Sequence, residues 1–156
     1  MTEITNLDAK DWQIIDLLTT DGRMPVQEIS ARIGLSPTPV SRRIRQLESR
    51  GIISSYAAII DEAALGYEFS VFVSVQLDRQ VDQVMADFER AIRDFPEVSD
   101  CWLMTGSRDY LLRVATPGLA AFETFLTAKL TRVSGVSNIE SSVSLRRVKS
   151  APRKSL

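Results

Sequence analysis

The hydrophobic pattern of residues 7–50 predicts three short helices. Asp8 suits the N-cap of the first helix, and Gly34 favours a stop after the second, because glycine tolerates the left-handed backbone that follows many helices. The third helix is expected over residues 36–50. Apolar side chains recur at helical spacing in each segment: Trp12, Ile14, Ile15 and Leu18, then Val26, Ile29 and Ile33, then Val40, Ile44 and Leu47.

The second half of the chain switches between strand and helix spacing. Apolar and polar residues alternate over 69–77, and apolar residues then recur every three or four positions over 81–94. The predicted order is strand 69–77, helix 81–94, strands 98–105 and 110–115, a helix through 122–130, and strand 136–145. This is the βαββαβ order of a ferredoxin-like domain, with both helices on one sheet face. We expect Phe72, Trp102 and Leu112 on the other face, where a second copy could cover them in a dimer.

The second and third helices fit a helix-turn-helix. Gly34 permits a sharp reversal between them, and the third helix carries four arginines within nine residues. If its apolar stripe turns inward, the remaining side chains can reach phosphates or base edges. The candidate DNA-binding residues are therefore Ser36, Thr38, Pro39, Ser41, Arg42, Arg43, Arg45 and Gln46. The alternative is a small helical domain whose arginines are simply solvated.

Charge is distributed unevenly along the 156 residues, although the formal net charge is only −1. Residues 1–60 carry seven basic and seven acidic side chains. Residues 61–145 carry seven basic and thirteen acidic side chains, and residues 146–156 carry five basic and no acidic ones. We expect one N-terminal face and the tail to attract a phosphate backbone, and the middle to repel it. The tail, residues 149–156, is expected to be a disordered, solvated end; the alternative is that it adds non-specific attraction to DNA.

The composition argues against several classes of protein. The chain has no histidine, the commonest general base and metal ligand, and its single cysteine, Cys101, falls in a predicted strand as an expected buried thiol. Phosphate-binding glycine loops, zinc-ligand spacings and the Gly-x-Ser-x-Gly motif are missing, so we expect no enzyme, metal or cofactor. Neither a signal peptide nor a membrane span is visible, so a cytoplasmic protein is expected.

Several of these segments together resemble the Lrp/AsnC family, also called feast/famine regulators. The most specific match is Gly34–Leu35–Ser36–Pro37–Thr38–Pro39, preceded by Asp21–Gly22–Arg23 and followed by the run 43–53. In the second half, Thr105–Gly106–Ser107–Arg108–Asp109–Tyr110 is similar to the family's glycine-and-aspartate turn. The resemblance extends from Leu7 to about Val148.

The resemblance implies an α+β protein with an N-terminal winged helix-turn-helix and a C-terminal βαββαβ sensor, or RAM, domain. We accordingly expect the DNA-binding domain at residues 1–53 and the effector-binding and oligomerisation domain at 67–148. The connecting residues 54–66 are expected to form a linker strand, since residues 52–60 have the character of extended backbone.

The resemblance also implies a sequence-specific transcription regulator that binds double-stranded DNA. Its dimers would form through the sensor sheets and assemble into octamers, and an amino acid or related metabolite bound between dimers would change oligomeric state or DNA affinity. The implied effector site comprises Leu103, Met104, Thr105, Gly106 and Asp109. A turn at Gly106 can offer N–H groups to a carboxylate, and Asp109 can accept an ammonium group. Alternatively, both residues only shape a hairpin.

One other function stays open at this point. The same residues would suit an architectural protein that compacts DNA without an effector, because an acidic C-terminal domain would serve either role. In both cases we expect a cytoplasmic, nucleoid-associated homo-oligomer.

Overall fold

The computed structural model describes residues 7–148, which divide into two compact units. One unit reaches Ile59 and the other covers Ile60–Arg147, so the division falls inside the expected linker, residues 54–66. The basic tail, residues 149–156, lies outside the described residues.

The N-terminal unit contains three helices: α1 (Ala9–Thr20), α2 (Val26–Ile33) and α3 (Pro37–Ser49). A capping box starts α1: Asp8 Oδ1 accepts the backbone N–H groups of Lys10 and Asp11, at 2.8 and 2.9 Å, and Asp11 Oδ2 accepts the N–H of Asp8. Gly34 ends α2 in the left-handed conformation, with φ of 67°. The predicted helix-turn-helix is therefore formed.

The core of this unit lies between the three helices. The predicted inward positions on α2 and α3 are confirmed, but Trp12 is 39% exposed whereas Ile14 is fully buried. The inward stripe of α1 is thus centred on Ile14, and Trp12 lies outside it. The buried residues are Ile14, Met24, Ile29, Ile33, Val40 and Leu47.

The segment after α3 is not the predicted strand. The N–H groups of Ile52 and Ile53 both bond to the carbonyl of Leu47, which ties them to the helix end. Residues 54–61 are exposed, and a strand needs a neighbouring backbone to pair with. No strand, and so no strand-built wing, lies between α3 and Phe69 in the described chain; one 3₁₀ turn, Ala63–Leu65, is found there.

The C-terminal unit has the predicted βαββαβ order. Its elements are β1 (Phe69–Leu77), α4 (Asp82–Arg93), β2 (Val98–Leu103), β3 (Tyr110–Thr116), α5 (Leu119–Ala128) and β4 (Val136–Val143), with a 3₁₀ turn (Leu130–Arg132) after α5. The strands form one antiparallel sheet in the order β2-β3-β1-β4. This is the ferredoxin-like arrangement, so the predicted fold class is confirmed.

The two faces of the sheet differ in character. Val71, Val73 and Val75 of β1 are fully buried in a core with side chains from α4 and α5. Phe72 and Trp102 lie on the opposite face, with 36% and 44% of their surface exposed, as predicted. The placement of Leu112 on that open face is wrong. Leu112 pairs with Val73 and is fully buried, because the outward positions of β3 are Leu111 and Arg113.

Candidate nucleic-acid interface and effector site

One stripe of α3 faces away from the core of its unit. Thr38, Arg42 and Arg45 are spaced i, i+4 and i+7, so they line up along the helix. All three are exposed, whereas Val40 and Leu47 on the other side are buried. Gln46 is also exposed next to this stripe, and Ser41 and Pro39 at its edges are half-buried. A helix with such a stripe can present cations and hydroxyls to a DNA groove.

Arg42 and Arg45 keep their charge available to a partner. Within residues 7–148, no carboxylate lies within salt-bridge distance of either guanidinium. An arginine in that state can approach phosphate oxygens or the edge of guanine without first breaking an internal ion pair.

Arg43 is placed differently from its two neighbours. Its Nη1 lies 2.7 Å from Asp8 Oδ2 and 2.7 Å from Asp11 Oδ1, and only 24% of its side chain is exposed. The hydrogen bonds to Asp11 and Asp8 raise the pKa of Arg43, and burial opposes them. Hydrogen bonds from the backbone of Asp11 and from Arg43 lower the pKa of Asp8. The structure therefore uses Arg43 to join α3 to the start of α1.

The first turn of α3 is unusual because it contains two prolines. Ser36 is the N-cap, but its side chain makes no capping hydrogen bond. Four N–H positions precede the first intrahelical hydrogen bond, and Pro37 and Pro39 have none, so only Ser36 and Thr38 can offer one. Any phosphate at this end would thus be bound by the N–H groups and the hydroxyls of Ser36 and Thr38.

The candidate effector residues come together at the turn between β2 and β3. The N–H of Met104 bonds to the carbonyl of Asp109 at 2.8 Å, which closes the turn. Gly106 has φ of 110°, a conformation that favours glycine. Leu103, Met104, Thr105 and Gly106 are all exposed on this turn. A molecule in solution can reach these four residues directly.

Asp109 lies behind the turn and is only 6% exposed. Its Oδ2 accepts the N–H of Leu77 at 2.7 Å, and its Oδ1 accepts the side-chain amide of Gln80 at 2.5 Å. Its own N–H bonds to the carbonyl of Val75. Asp109 therefore fastens the turn to the end of β1, which is the turn-shaping role that the sequence left open.

Two arginines on the open sheet face were missed by the sequence reasoning. Arg113 binds both carboxylate oxygens of Glu62 and lies 3.6 Å from Asp100; its pKa is raised, first by the hydrogen bond to Glu62. Arg108 Nη2 lies 2.7 Å from Glu140. The alternation of β3 could have placed Arg113 outward, but no local signal links it to Glu62.

Cys101 is exposed, so the expectation of a buried thiol is wrong. It lies on β2, which is an edge strand of the sheet and leaves its side chain partly open. Partial desolvation and the Glu89 carboxylate raise its pKa to about 11. The thiol is therefore protonated at neutral pH and is a poor nucleophile.

Two kinds of feature are absent from residues 7–148. None of the helices there is long and apolar enough to cross a membrane. No three side chains of the metal-binding types His, Cys, Asp and Glu are grouped to hold an ion in that same range.

Comparison with known proteins decides the family. Residues 7–48 match the AsnC-type helix-turn-helix domain, and residues 70–153 match the Lrp/AsnC ligand binding domain. The chain belongs to the Lrp/AsnC family. It is thus a DNA-binding transcriptional regulator with a ligand-binding domain, and members of this family are not enzymes.

Individual Lrp/AsnC relatives match over almost their whole length. The Bkd operon transcriptional regulator of Pseudomonas aeruginosa is 43% identical over 96% of this chain and 99% of its own. The leucine-responsive regulatory protein of Escherichia coli is 36% identical over 95% of this chain and 90% of its own. A Neisseria meningitidis transcriptional regulator solved in complex with L-Met is 34% identical, covers 93% of this chain and 94% of its own, and superposes with a TM-score of 0.89.

Proposed function

We propose that this regulator binds an amino acid in its C-terminal unit, and that binding changes its assembly or its affinity for DNA. The observation that carries the proposal is the likeness to the Neisseria regulator, which was solved with L-Met. The name of the E. coli relative, leucine-responsive regulatory protein, supports the same class of effector. L-Met and L-Leu are therefore the first ligands to test.

The outward stripe of α3 is the proposed DNA-reading surface. Arg42 and Arg45 extend from one line of the helix, with Thr38 at its start and Gln46 beside it. Long cationic side chains reach base edges or phosphates, while hydroxyls at the helix start contact phosphate. Ser36, Pro39 and Ser41 complete this proposed interface. Arg43 holds α3 in position by its ion pair with Asp11 of α1.

The open sheet face is the proposed dimer contact. Phe72 and Trp102 expose large apolar surfaces there, and Arg113 lies on β3 between their two strands, opposite Phe72. Aromatic residues and arginine are both enriched in protein interfaces. The same face on a second copy would cover it in an isologous dimer, and further assembly to an octamer would bring turns of neighbouring dimers together.

The β2–β3 turn is the proposed effector site. The backbone N–H groups of residues 105–108 make no hydrogen bond within the described chain, so they can bind a carboxylate, as backbone nests do. Leu103, Met104, Thr105 and Gly106 would contact the ligand, and a neighbouring dimer would supply the rest. Asp109 serves this site as a positioning residue, because both of its carboxylate oxygens already accept hydrogen bonds.

Calorimetry of the full-length oligomer with L-Met, L-Leu and the other common amino acids tests the proposal, with the D-enantiomers as controls. We expect one or more L-amino acids to bind and to change either the sedimentation profile or the affinity for a DNA site selected from a random pool. Footprints on that site should show half-sites about 10 base pairs, or a multiple, apart. DNA binding with no amino-acid binding would favour the architectural function instead.

A further inference from the structure

A cleft separate from the β2–β3 turn lies within the C-terminal unit, on the side of the sheet that carries the helices. It has a volume of about 350 Å³ and opens between α4 and the edge strand β2. Cys101 and Leu103 of β2 pair with the core residues Leu112 and Tyr110, which places them on this side of the sheet. The cleft is lined by Glu89, Ile92, Arg93, Cys101, Leu103 and Tyr110.

The floor of the cleft is apolar and firmly held. Ile92 and Tyr110 are 4% and 1% exposed, and the ring of Tyr110 packs on Phe88 with 4.6 Å between centroids. Leu103 is 60% exposed and forms an open wall. A small apolar group entering here would cover Leu103 without displacing the core, as in preformed ligand pockets of this size.

The mouth of the cleft carries one negative and one positive side chain. Glu89 Oε1 accepts the hydroxyl of Tyr110 at 3.0 Å, which fixes the carboxylate at the edge of the floor. Arg93 lies one helical turn further, and its Nη2 is 3.6 Å from Glu89 Oε2. That separation is too long for a strong hydrogen bond, so both groups keep capacity for a ligand. An ammonium group can bind Glu89 while a carboxylate binds Arg93.

We propose that this cleft is a second amino-acid site, contained within one chain, that takes a zwitterion with an apolar side chain. Glu89 binds the ammonium group, Arg93 binds the carboxylate, and the side chain lies against Ile92, Cys101 and Leu103. The site shares only Leu103 with the proposed effector turn and needs no second subunit. It can therefore be occupied whether or not the turn responds to an effector.

Cys101 gives a direct readout of occupancy, because it is the single cysteine of the chain and lines the cleft. Alkylation of the intact oligomer by iodoacetamide at mildly alkaline pH is followed by mass spectrometry, with and without L-leucine. At about ten times the dissociation constant, only about a tenth of the clefts remain empty, so labelling should slow about tenfold. We expect weak protection by 4-methylpentanoate, which lacks the ammonium group, and by leucinol, which lacks the carboxylate.

Three variants test the assigned roles. Glu89→Gln keeps an oxygen that can accept the Tyr110 hydroxyl, and Arg93→Gln changes an exposed side chain, so the fold should be kept in both. Each variant removes one charge and should raise the L-leucine concentration needed for protection about tenfold or more. Arg90→Gln is the matched control, since Arg90 is exposed on the same helix but does not line the cleft. We expect its protection curve to match the wild type.

The results distinguish this site from the proposed effector turn. Gly106→Val, which alters the turn, should leave protection of Cys101 intact even if it removes the response of DNA binding to amino acids. Protection that is lost in Gly106→Val and retained in Glu89→Gln would overturn the proposal, as would labelling that no concentration of L-leucine slows. If amino acids never change DNA binding but still protect Cys101, the second site stands and only the effector function fails.

Discussion

Arg43 Nη1 lies 2.7 Å from Asp11 Oδ1, so an arginine of α3, the helix proposed to read DNA, is bound to the first turn of α1. Asp8 joins the same group at 2.7 Å and also forms the capping box with Asp11. Only 13% of the Asp11 side chain is exposed, and a carboxylate held in that way needs a cationic partner. The contact therefore fixes the orientation of α3 in its unit and leaves Arg42 and Arg45 to face outward.

Replacing Arg43 with Met should destabilise the N-terminal unit. The change leaves Asp11 with reduced exposure and no cationic partner, at a cost of about 1–3 kcal/mol in the free energy of unfolding. Urea denaturation of the full-length protein, followed by circular dichroism, measures this loss. Arg42→Met is the control, because Arg42 has no ion pair within the described residues and its loss should leave the midpoint almost unchanged. Equal midpoints for both variants would contradict the structural role of Arg43.

The same contact predicts a pH dependence. The pKa of Asp8 is lowered below its ordinary value of 3.8, first by the hydrogen bond from the backbone of Asp11 and also by Arg43. A carboxyl with a lowered pKa stabilises the folded state above its ordinary pKa and loses that contribution as the pH falls through the lowered value. The stability difference between wild type and Arg43→Met should therefore be constant near neutral pH and shrink below about pH 4. Urea midpoints across this range provide the measurement.

DNA binding should depend on Arg42 and Arg45 directly. Each change to Ala is expected to weaken binding by about 1–3 kcal/mol if the side chain meets a base edge or a buried phosphate. A phosphate contact would also reduce the slope of log affinity against log salt by about one, whereas a base contact would relax sequence preference. Fluorescence anisotropy with a selected DNA site, at several salt concentrations, separates these cases. Arg90→Ala in α4 serves as the control, and unchanged affinity in both α3 variants would exclude this stripe as the DNA contact.

Periodicity predicted most elements because each core is built from strongly patterned segments. The alternation over 69–77 gave β1 with its observed bounds, and the pattern over 36–50 gave α3 to within one residue at each end. In both, one face packs on the core, with Val71, Val73 and Val75 buried in β1 and Val40 and Leu47 buried in α3, so the pattern has little freedom to shift. The helix-turn-helix and the ferredoxin-like order followed from these segments and from Gly34.

The failures have a different physical origin. Leu112 was assigned to the wrong face because Leu111 beside it is also apolar, so sequence spacing alone cannot fix which of the two points to the core. The strand over residues 52–60 failed because a strand depends on a pairing partner that local sequence does not specify. Arg43 and Asp109 were predicted to contact ligands, but in the structure each already has a partner within the chain. Arg43 binds Asp11, and Asp109 accepts the N–H of Leu77; both partners lie 32 residues away in the sequence. Only the folded chain brings those partners together.

The open sheet face should hold the dimer together. Trp102→Glu and Phe72→Lys would each place a charge among the apolar side chains of the contact, where it must lose its hydration. The lysine at position 72 would also face Arg113, its partner on β3, so like-charge repulsion adds to that cost. We expect sedimentation equilibrium to shift from dimers or larger assemblies toward monomers in both variants. Leu119→Glu is the control: Leu119 is 66% exposed on α5, which covers the opposite side of the sheet. Dissociation by the control alone would place the interface on the helices instead.

Two substitutions at Asp109 should separate a positioning role from direct ligand contact. Asp109→Ala removes the acceptor of both the buried Leu77 N–H and the Gln80 amide, so we expect a loss of about 1–3 kcal/mol in unfolding free energy together with weaker amino-acid binding. Asp109→Asn keeps one oxygen for Leu77, and Gln80 can turn its amide to accept from the new NH₂ group. Thermal melts and calorimetry of this variant should therefore stay close to the wild type. If Asp109→Asn melts normally but no longer binds amino acids, the carboxylate itself contacts the ligand ammonium group, and the positioning role is refuted.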